Sequence, residues 1–529
     1  MCGILAIIKT LQTQTSTNLV DVLDSGIPLE NRGPDNRIVK IGENYMFVFY
    51  RLSIMDTSNL ANQPFCINNC VLVCNGEIYN YKELTKEYDL CCQSTSDCEV
   101  ILRLYLKLGN FNETIDKLDG VFAIVLFDQT KNKLCIARDR IGVRPLFISK
   151  SKNNELITSS LVKSLLPLSD PKTIQYIQPN TTYIYDLDYS VPNLEINSIT
   201  NPILDLSMKN CNTELAINKV KDILFNAVKK RIVCDRPISC LLSGGLDSSL
   251  IAALLCKILG HENVRTYSIG MEGSTDLFYS QKVADFLQTN HTVVNFTEKE
   301  GLNIIPNIIK TIESYDITTI RASVPMWLVS NYISTHSDDK VVFSGEGADE
   351  LFCGYLYFHN APSNLILEKE SKRLVKELHK YDVLRSDRTV SDCGLEFREP
   401  FLDSVLTEFA LNLPGEVKKP QHGYEKYILR KAFEDLLPQE VIWRRKEGFS
   451  DGNSSLDRAW KDVIAEYVEP IIDTYDDKKF MSKEQAYYKM IFDREFPDYD
   501  LNLPPWMPKW SGDLTDPSGR LIDAFDEFL

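Results

Sequence analysis

A glycine- and serine-rich segment near the middle of the chain, residues 241–249, constrains the fold more than any other stretch. It follows an apolar run, residues 238–242, that is typical of a short buried strand. It leads into residues 246–259, where apolar side chains recur at helical spacing until Gly260. A strand, a glycine pair and a helix start together present unpaired backbone N–H groups to an anion. The segment therefore predicts a phosphate-binding loop.

The residues of this loop indicate which phosphate chemistry it serves. Gly244 and Gly245 let the backbone come close to a ligand, while hydroxyl groups add donors, from Ser243, Ser248 and Ser249. Kinase-type phosphate loops end in Gly-Lys-Ser/Thr, whereas this loop lacks a lysine and carries Asp247, whose carboxylate suits Mg²⁺. The motif resembles the pyrophosphate loop of enzymes that cleave ATP between its α- and β-phosphates and adenylate a substrate. The alternative is a Gly/Ser turn that merely caps a helix.

The elements around the loop predict a parallel sheet. Strand-like runs at residues 264–269, 291–296 and 341–343 alternate with helical patterns. Such alternation predicts a doubly wound parallel sheet whose ligand crevice lies at the carboxyl ends of the strands. Because the glycine-rich loop and Ile269 both lie at such ends, Leu242 and Ile269 are candidates to flank an adenine ring.

An acidic segment, residues 344–350, follows the last of these strands at the same edge of the sheet. There Asp349, together with Asp247, could hold Mg²⁺ between phosphate oxygens. Glu346 could position or deprotonate an incoming amine. Because the glycine-rich loop lacks a lysine, Lys446 is the candidate for the positive charge on a leaving pyrophosphate. Alternatively, the acids only complement a helix dipole, and Lys446 belongs to a solvated basic turn.

Length and composition exclude several classes of protein. A chain of 529 residues suggests two or more domains, and 44% hydrophobic with 25% charged residues is ordinary for a globular protein. A net charge of −16 argues against nucleic-acid or anionic-membrane binding. No apolar run reaches the length of a membrane span, and the start of the chain lacks the basic segment of a signal peptide. The 14 cysteines form no CxxC pair, which favours reduced thiols and a cytoplasmic location.

The N-terminus offers a candidate nucleophile. Cys2 follows Met1, and a small second residue favours removal of the initiator methionine. Cys2 would then carry both a thiol and a free α-amine, which titrates at about pH 7.7–8.0. Such an amine can take the proton from its own thiol. All 6 histidines lie beyond residue 260, which excludes a Cys–His dyad within the N-terminal domain.

Residues that follow the terminal thiol supply the groups that glutamine hydrolysis requires. Arg51 can pair with an α-carboxylate, while Glu77 and Asp97 can receive an α-ammonium group. The side-chain amide of Asn75 and the N–H of Gly76, at a predicted turn, are two donors suited to an oxyanion. Each residue alone also has a structural explanation, such as a surface cation, a hairpin turn or a helix cap. In combination with the thiol they indicate a site.

Several motifs in this region resemble the class II glutaminase domain, an N-terminal-nucleophile fold. They are Met-Cys-Gly-Ile at residues 1–4, Arg-Gly-Pro-Asp at 32–35, and residues 51–54, 75–80 and 96–99. The resemblance implies an αββα sandwich, which agrees with many strands separated by few helices. It also implies Cys2 as the nucleophile and the side chain of Asn75 with Gly76 as the oxyanion hole. The implied glutamine-binding residues are Arg51, Leu52, Ser53, Ile54, Met55, Asn75, Gly76, Glu77 and Asp97.

The remainder of the chain extends the resemblance to the glutamine-dependent asparagine synthetase family. The supporting runs are residues 268–274, 316–325, 354–362, 381–385 and 400–403. The resemblance implies that ATP·Mg²⁺ activates L-aspartate to β-aspartyl-AMP and that ammonia from L-glutamine attacks this acyl group. A water-excluding passage would keep the ammonia neutral. Glu346 and Lys446 are the implied catalytic residues here, and Asp247 and Asp349 the metal ligands. The implied ATP-binding residues are Leu242, Ser243, Gly244, Gly245, Asp247, Ser248, Ile269, Ser344 and Gly345.

The domain boundaries follow from composition and from the two resemblances. We expect a glutaminase domain at residues 1–190, a linker at 191–212 that is polar and contains two prolines, and a synthetase domain at 213–529. Relatives of this kind suggest a homodimer. Two other functions remain open from the sequence, namely a related glutamine-dependent ligase that adenylates another carboxylate, and a non-catalytic regulator that binds glutamine or ATP.

Overall fold

The structure is a computed structural model that describes residues 1–200, 211–476, 479–501, 503–512 and 516–518. Residues 201–210, which belong to the predicted linker, and residues 519–529 lie outside the described residues. The N-terminal part (residues 1–200) contains antiparallel sheets and the C-terminal part (from residue 211) contains a parallel sheet. The predicted division into two parts of different sheet type is confirmed.

Strands dominate the N-terminal part. In chain order they are β1 (Gly3–Ile8), β2 (Asn36–Ile41), β3 (Tyr45–Arg51), β4 (Phe65–Ile67), β5 (Cys70–Ile78), β6 (Gly120–Asp128), β7 (Lys133–Arg138), β8 (Phe147–Lys150), β9 (Leu156–Ser159), β10 (Gln175–Tyr176), β11 (Thr181–Asp186) and β12 (Asn193–Ser198). The α-helices of this part are α1 (Leu19–Gly26), α2 (Tyr81–Glu87), α3 (Glu99–Leu108) and α4 (Phe111–Asp116).

These strands form two six-stranded sheets, in the orders β10-β8-β9-β1-β3-β2 and β12-β11-β7-β6-β5-β4. Ile4 and Phe47 of the first sheet share one buried cluster with Val73 and Val125 of the second, so the sheets pack face to face. Leu5 points the opposite way, into a cluster shared with α1 and with helices of the C-terminal part. Helices α2, α3 and α4 cover the outer face of the second sheet. This arrangement confirms the predicted αββα sandwich.

Strand β12 corrects the predicted start of the linker. It pairs antiparallel with β11 along its whole length, with Thr181 opposite Ser198. The segment shows no inward-outward alternation because β12 is an edge strand, and its Leu194 and Ile196 are 40% and 53% exposed. The beginning of the segment assigned to the linker is therefore a strand of the N-terminal part.

The C-terminal part alternates strands and helices. Its strands are β13 (Ile238–Leu241), β14 (Arg265–Gly270), β15 (Asn290–Asn295), β16 (Val341–Phe343) and β17 (Glu396–Arg398). Its α-helices are α5 (Thr213–Arg231), α6 (Leu246–Leu259), α7 (Thr275–Leu287), α8 (Glu298–Ile312), α9 (Ile317–His336), α10 (Ala348–Leu351), α11 (Asn364–Glu377), α12 (Asp382–Ser391), α13 (Ser404–Asn412), α14 (Gly415–Lys418), α15 (Tyr427–Ala432), α16 (Gln439–Ile442), α17 (Phe449–Gly452), α18 (Trp460–Val468) and α19 (Lys483–Glu495). None of the described helices has both the length and the apolar character that a membrane crossing requires.

The five strands of this part are parallel, in the order β15-β14-β13-β16-β17. Val341 and Phe343 pack into a cluster with α5 and α6, whereas Val342 between them packs into the cluster of α8 and α9. Helices therefore cover both faces, which confirms the doubly wound sheet. The strand order reverses between β13 and β16, and ligands of such sheets bind where this reversal occurs. The glycine-rich loop and the acidic segment are the loops that leave these two strands.

A cluster of ion pairs lies where the two parts meet. Lys230 at the end of α5 binds Asp119 of the N-terminal part at 2.6 Å, and it also contacts Asp403. Arg231 donates to Asp403 at 2.6 Å, and the side chains of this second pair are 2% and 3% exposed. Ser404 donates to Asp119 at 3.1 Å. Lys230 thus contacts one carboxylate of each part, and together with Ser404 it ties Asp119 to the C-terminal part.

Replacing Asp403 tests the contribution of this cluster to stability. We expect Asp403→Ala to lower the free energy of unfolding by about 3–5 kcal/mol, because it leaves Arg231 buried without its carboxylate. Asp338→Ala is the matched control, since Asp338 pairs with Arg265 but its side chain is 70% exposed. Urea denaturation monitored by fluorescence measures both variants. Equal shifts of the denaturation midpoint in the two variants would contradict the expectation.

Candidate functional site

The glycine-rich loop links β13 to α6, as the sequence predicts. Gly244 has φ +70°, and a Cβ at this position would lie 2.4 Å from the backbone nitrogen of Ser280 in α7. The hydroxyls of Ser243 and Ser248 lie 3.0 Å apart, and Ser243 Oγ accepts a hydrogen bond from the N–H of Gly245. The loop is thus closed on itself and packed against α7, which requires glycine at position 244.

A cavity of about 1020 Å³ opens at the carboxyl ends of β13, β14 and β16. Its size suits a nucleotide-sized ligand together with a smaller one. Gly244 does not line it, because that residue lies beneath the loop against α7. The predicted residues that line the cavity are Leu242, Ser243, Gly245, Asp247, Ser248, Ile269, Ser344, Gly345, Glu346, Asp349 and Lys446.

Two lysines meet the acidic groups of this cavity. Lys426 Nζ lies 2.6 Å from a carboxylate oxygen of Asp247 and 2.6 Å from one of Asp349, and Lys446 Nζ lies 2.7 Å from the other oxygen of Asp349. Burial alone would raise the pKa of Asp349, but the charges of both lysines outweigh it and hold that pKa well below its usual range. Asp349 therefore remains charged at neutral pH.

Lys426 is a functional candidate that the sequence prediction missed. It lies 179 positions after Asp247 and belongs to no motif recognised above. Its backbone has φ +53° at the N-cap of α15, and the ammonium group is buried. A cation at a helix N-terminus opposes the helix dipole, and this local conflict is the one signal in the sequence that could have found it.

Glu346 is held by a helix that lines the cavity. Arg385 of α12 donates to Glu346 at 2.7 Å and also pairs with Asp382 at 2.9 Å. Burial raises the pKa of Glu346 to about 7, although the positive charge of Arg385 opposes the shift. A carboxyl that titrates near neutrality can accept and release a proton, which suits the predicted role at an incoming amine.

The chemistry of Asp247 and Asp349 fits a magnesium ion. One oxygen of Asp247 is buried without a hydrogen-bond partner, and both carboxylates converge on the same ammonium group of Lys426. The described residues contain no group of three or more side chains that could enclose a metal by themselves. Mg²⁺ commonly binds one or two carboxylates and completes its shell with phosphate oxygens and water. Two carboxylates beside the glycine-rich loop match that mode of binding.

A second candidate site surrounds Cys2 at the start of β1. The backbone N–H of Cys2 donates to Asn75 Oδ1 at 2.9 Å, and its thiol lies 3.7 Å from the carbonyl oxygen of Leu52. Arg32 donates to the carbonyl of Cys2 at 3.0 Å. Burial raises the pKa of the Cys2 thiol, so this group needs a base before it can act as a nucleophile. Burial also lowers the pKa of the Met1 amine to about 6.

Asn75 and Gly76 lie within β5, so the prediction that they form a turn is wrong. The strand continues to Ile78 because β6 pairs with all of it, with Gly76 opposite Phe122. A Cβ at Gly76 would lie 2.2 Å from the carbonyl oxygen of Val121, so the close approach of β6 requires glycine. Asn75 Nδ2 is buried and has no hydrogen-bond partner. This free donor is available to a ligand beside Cys2.

Arg51 is already bound within the protein. Its terminal nitrogens donate to the Ser58 carbonyl and to Asn62 Oδ1, at 2.8 and 2.7 Å, and to the carbonyls of Met55 and Asp56. The guanidinium group therefore holds the loop that follows β3. A ligand carboxylate at this position would have to share or replace one of these acceptors. Leu52, Ser53 and Ile54 are buried at the start of this loop.

Glu77 and Asp97 are buried acids beside β5. Arg398 of the C-terminal part pairs with Glu77 at 3.3 Å, and the N–H of Ile78 donates to Asp97 at 2.7 Å. Burial raises the pKa of Asp97 to about 6. Burial, with the nearby charge of Glu396, also raises the pKa of Glu77. A cationic ligand group would stabilise the charged form of both acids.

Comparison with known proteins identifies both parts of the chain. An asparagine synthase family model matches residues 219–373 and 365–507, and a glutamine amidotransferase domain model matches residues 1–200. The chain is 39% identical over 567 aligned positions to a glutamine-hydrolysing asparagine synthetase of Gallus gallus, covering 99% of each. It is 40% identical over 563 positions to that of Homo sapiens, again covering 99% of each. The chain belongs to the asparagine synthetase family. This membership includes the N-terminal part that carries Cys2.

Replacing Gly244 tests whether ligand binding depends on the close packing of the glycine-rich loop against α7. We expect Gly244→Ala to weaken binding of an ATP analogue at least about tenfold and to destabilise the fold by about 1–3 kcal/mol, because the new Cβ overlaps α7. Calorimetric titration and urea denaturation measure the two effects.

Gly273→Ala is the matched control for this substitution. Gly273 also has a positive φ, +77°, but no atom lies within 4 Å of a Cβ built there. We expect this control to lose roughly 1 kcal/mol from backbone strain and to bind the analogue normally. Normal analogue binding by Gly244→Ala would contradict the role of close packing.

Proposed function

We propose that the chain is a glutamine-dependent asparagine synthetase. It would use ATP to adenylate L-aspartate and would transfer ammonia from L-glutamine to the activated acyl group, forming L-asparagine, L-glutamate, AMP and pyrophosphate. The observation that carries this proposal is the presence, on one chain, of a cysteine whose backbone N–H donates to Asn75 Oδ1 and of an ATP-sized cavity with a lysine between two carboxylates. Similarity over the full length to glutamine-hydrolysing asparagine synthetases supports it.

In the N-terminal part we assign Cys2 as the nucleophile after removal of Met1. The nitrogen of Cys2 already lies 2.9 Å from Asn75 Oδ1, so the freed α-amine would be anchored by that amide. This amine would accept the proton of the buried thiol, and the thiolate would attack the amide carbon of glutamine. The partnerless Asn75 Nδ2, with Gly76, would donate to the oxyanion that forms.

The remaining predicted glutamine-binding residues have separate roles. Glu77 and Asp97 would receive the α-ammonium group of glutamine, since both are buried acids with raised pKa values. Arg51 would receive the α-carboxylate by exchanging one of the carbonyls that it now binds. The loop of Leu52, Ser53, Ile54 and Met55 would form the wall beside the thiol.

In the C-terminal part we assign the ATP phosphates to the glycine-rich loop. Lys426 and Lys446 would stabilise the charge that develops on the departing pyrophosphate. Glu346, held by Arg385, would position the ammonia nitrogen and take up one of its protons after attack on the acyl group. The adenine ring would lie between Leu242 and Ile269, which both line the cavity.

Asp247 and Asp349 would hold the magnesium ion. When bound, Mg²⁺ would neutralise phosphate charge as the bond between the α- and β-phosphates breaks. The unpartnered oxygen of Asp247 supports this assignment.

Two further assignments concern the cellular location of the protein and the classes of partner that it does not bind. A cytoplasmic location is supported by the 14 cysteines, all of which are free thiols. The negative net charge of −16 supports the absence of nucleic-acid and anionic-membrane partners. The homodimer stays a prediction.

Replacing Cys2 tests whether the N-terminal part releases ammonia from glutamine and the C-terminal part makes asparagine. We expect Cys2→Ala to lower asparagine synthesis from glutamine at least about 1,000-fold, while synthesis from added ammonium chloride stays within about twofold of the original protein. The reason is that the variant loses only the thiol that releases ammonia. Amino-acid analysis of reaction mixtures measures both activities, and intact mass shows whether Met1 is removed.

Cys91→Ala serves as the control, because Cys91 is an exposed free thiol. It should retain both activities. Loss of both activities in Cys2→Ala would show that the two reactions are assigned to the wrong parts of the chain.

Replacing Lys426 tests its proposed role in pyrophosphate release, which the sequence did not indicate. We expect Lys426→Met to lower aspartate-dependent pyrophosphate release at least about 100-fold. The variant lacks the cation that Asp247 and Asp349 share, and the departing pyrophosphate lacks the positive charge that would stabilise it. Glutamine hydrolysis should persist, which would show that the chain is folded.

Lys431→Met is the matched control, since Lys431 lies one turn along α15 and pairs with Glu434 at the surface. It should release pyrophosphate at the original rate. Equal rates in the two variants would remove Lys426 from the proposed site.

A further inference from the structure

Glu399 is a buried acid that the proposed mechanism does not use. It follows β17 directly and is 3% exposed. Its carboxyl group accepts one hydrogen bond, from Ser386 Oγ at 3.4 Å, and no described cation forms an ion pair with it. Its neighbours on β17 differ, because Glu396 and Arg398 pair with each other at 2.8 Å.

Charged groups from four elements face this carboxyl. Arg144 follows β7, Arg231 ends α5, Asp387 lies on α12, and Glu346 lies in the acidic segment after β16. Burial raises the pKa of Glu399 to about 8, with Asp387 and Glu346 adding to the shift and the two arginines opposing it. Glu399 is therefore mostly protonated, and neutral, at pH 7.

Some of these groups are tied to the N-terminal site. Asp387 pairs with Arg32 at 2.7 Å, and Arg32 in turn donates to the carbonyl of Cys2. Arg144 contacts the sulfur of Met1 and donates to the carbonyl of Phe397 at 3.1 Å.

Other groups are tied to the cavity of the C-terminal part. Ser386, the hydrogen-bond donor to Glu399, lies between Asp387 and Arg385 on α12, and Arg385 holds Glu346 at 2.7 Å. Glu399 thus lies where side chains anchored at Cys2 meet side chains anchored at the cavity.

We propose that Glu399, in its protonated form, is a hydrogen-bonding site for ammonia on its way from Cys2 to Glu346. This inference rests on the proposed function. The carboxylic O–H donates to the lone pair of ammonia, and the proton stays on Glu399 when ammonia moves on. No covalent bond forms or breaks, and the ammonia remains neutral and nucleophilic.

Ionisation of Glu399 reverses this effect. The carboxylate has no proton to donate, and its negative charge stabilises ammonium. Ammonium forms when ammonia takes a proton from water, which leaves hydroxide. It has no lone pair with which to attack the acyl group. Transfer should therefore weaken as the pH rises through the pKa of Glu399. Simple titration of free ammonia predicts the opposite trend, because less of it is protonated at high pH.

The test uses the full-length protein and measures asparagine formed per glutamine hydrolysed from about pH 7 to about pH 9. We expect this ratio to fall at least about threefold in the original protein and to stay constant in Glu399→Gln, which donates a hydrogen bond at every pH. Glu399→Leu has no donor, so its ratio should be at least about threefold lower throughout. Glutamine hydrolysis should stay within about twofold in both variants.

Glu408→Gln is the control, because Glu408 is a half-buried acid of the C-terminal part that lies on α13. It should follow the pH curve of the original protein. A Glu399→Gln curve identical to the original, or a normal ratio in Glu399→Leu, overturns the inference while the proposed function stands. Failure of the original protein to make asparagine from aspartate, ATP and ammonium chloride overturns the proposed function, and this inference with it.

Discussion

The structure depends on pairing charges that are buried where its two parts meet. Arg32 of the N-terminal part pairs with Asp387 of the C-terminal part, and Arg398 of the C-terminal part pairs with Glu77 of the N-terminal part. An ion removed from water is stable only beside its partner, and cations come from both sides of this contact. A shift of one part against the other would therefore leave charges unpaired in both. Apolar packing alone would not define the relative position so strictly.

This constraint also brings a cation of the C-terminal part to the site around Cys2. Arg398 ends β17, the strand beside the one that leads to the acidic segment, yet its charge acts on Glu77 next to the Cys2 site. The carboxylate of Glu77 therefore has a cation of the other part as its partner, and an ammonium group placed beside it would share that carboxylate with Arg398.

Much of the fold could be predicted from local pattern, and the misses share a physical cause. The helix at residues 246–259 and the strand at 341–343 have the predicted bounds, because apolar periodicity and Gly260 are local signals. Strand β12 was missed because only two apolar residues, Leu194 and Ile196, alternate within it, which is too short a pattern to indicate a strand in a polar segment with prolines. Asn75 and Gly76 resemble a turn, but pairing with β6 extends the strand through them. Such pairing is decided by distant residues, which a local pattern cannot show.

Lys426 was missed for a similar reason, because the fold and not a local motif brings it to the site. The glycine-rich loop has no lysine, and the ammonium group comes instead from a helix start 179 positions later. Two carboxylates that converge on one point repel each other unless a cation lies between them, so Lys426 allows Asp247 and Asp349 to be held together before any ligand arrives. The cation thus preorganises the pair. A cationic ligand would meet carboxylates that are already held together, so the reorganisation required on binding would be small.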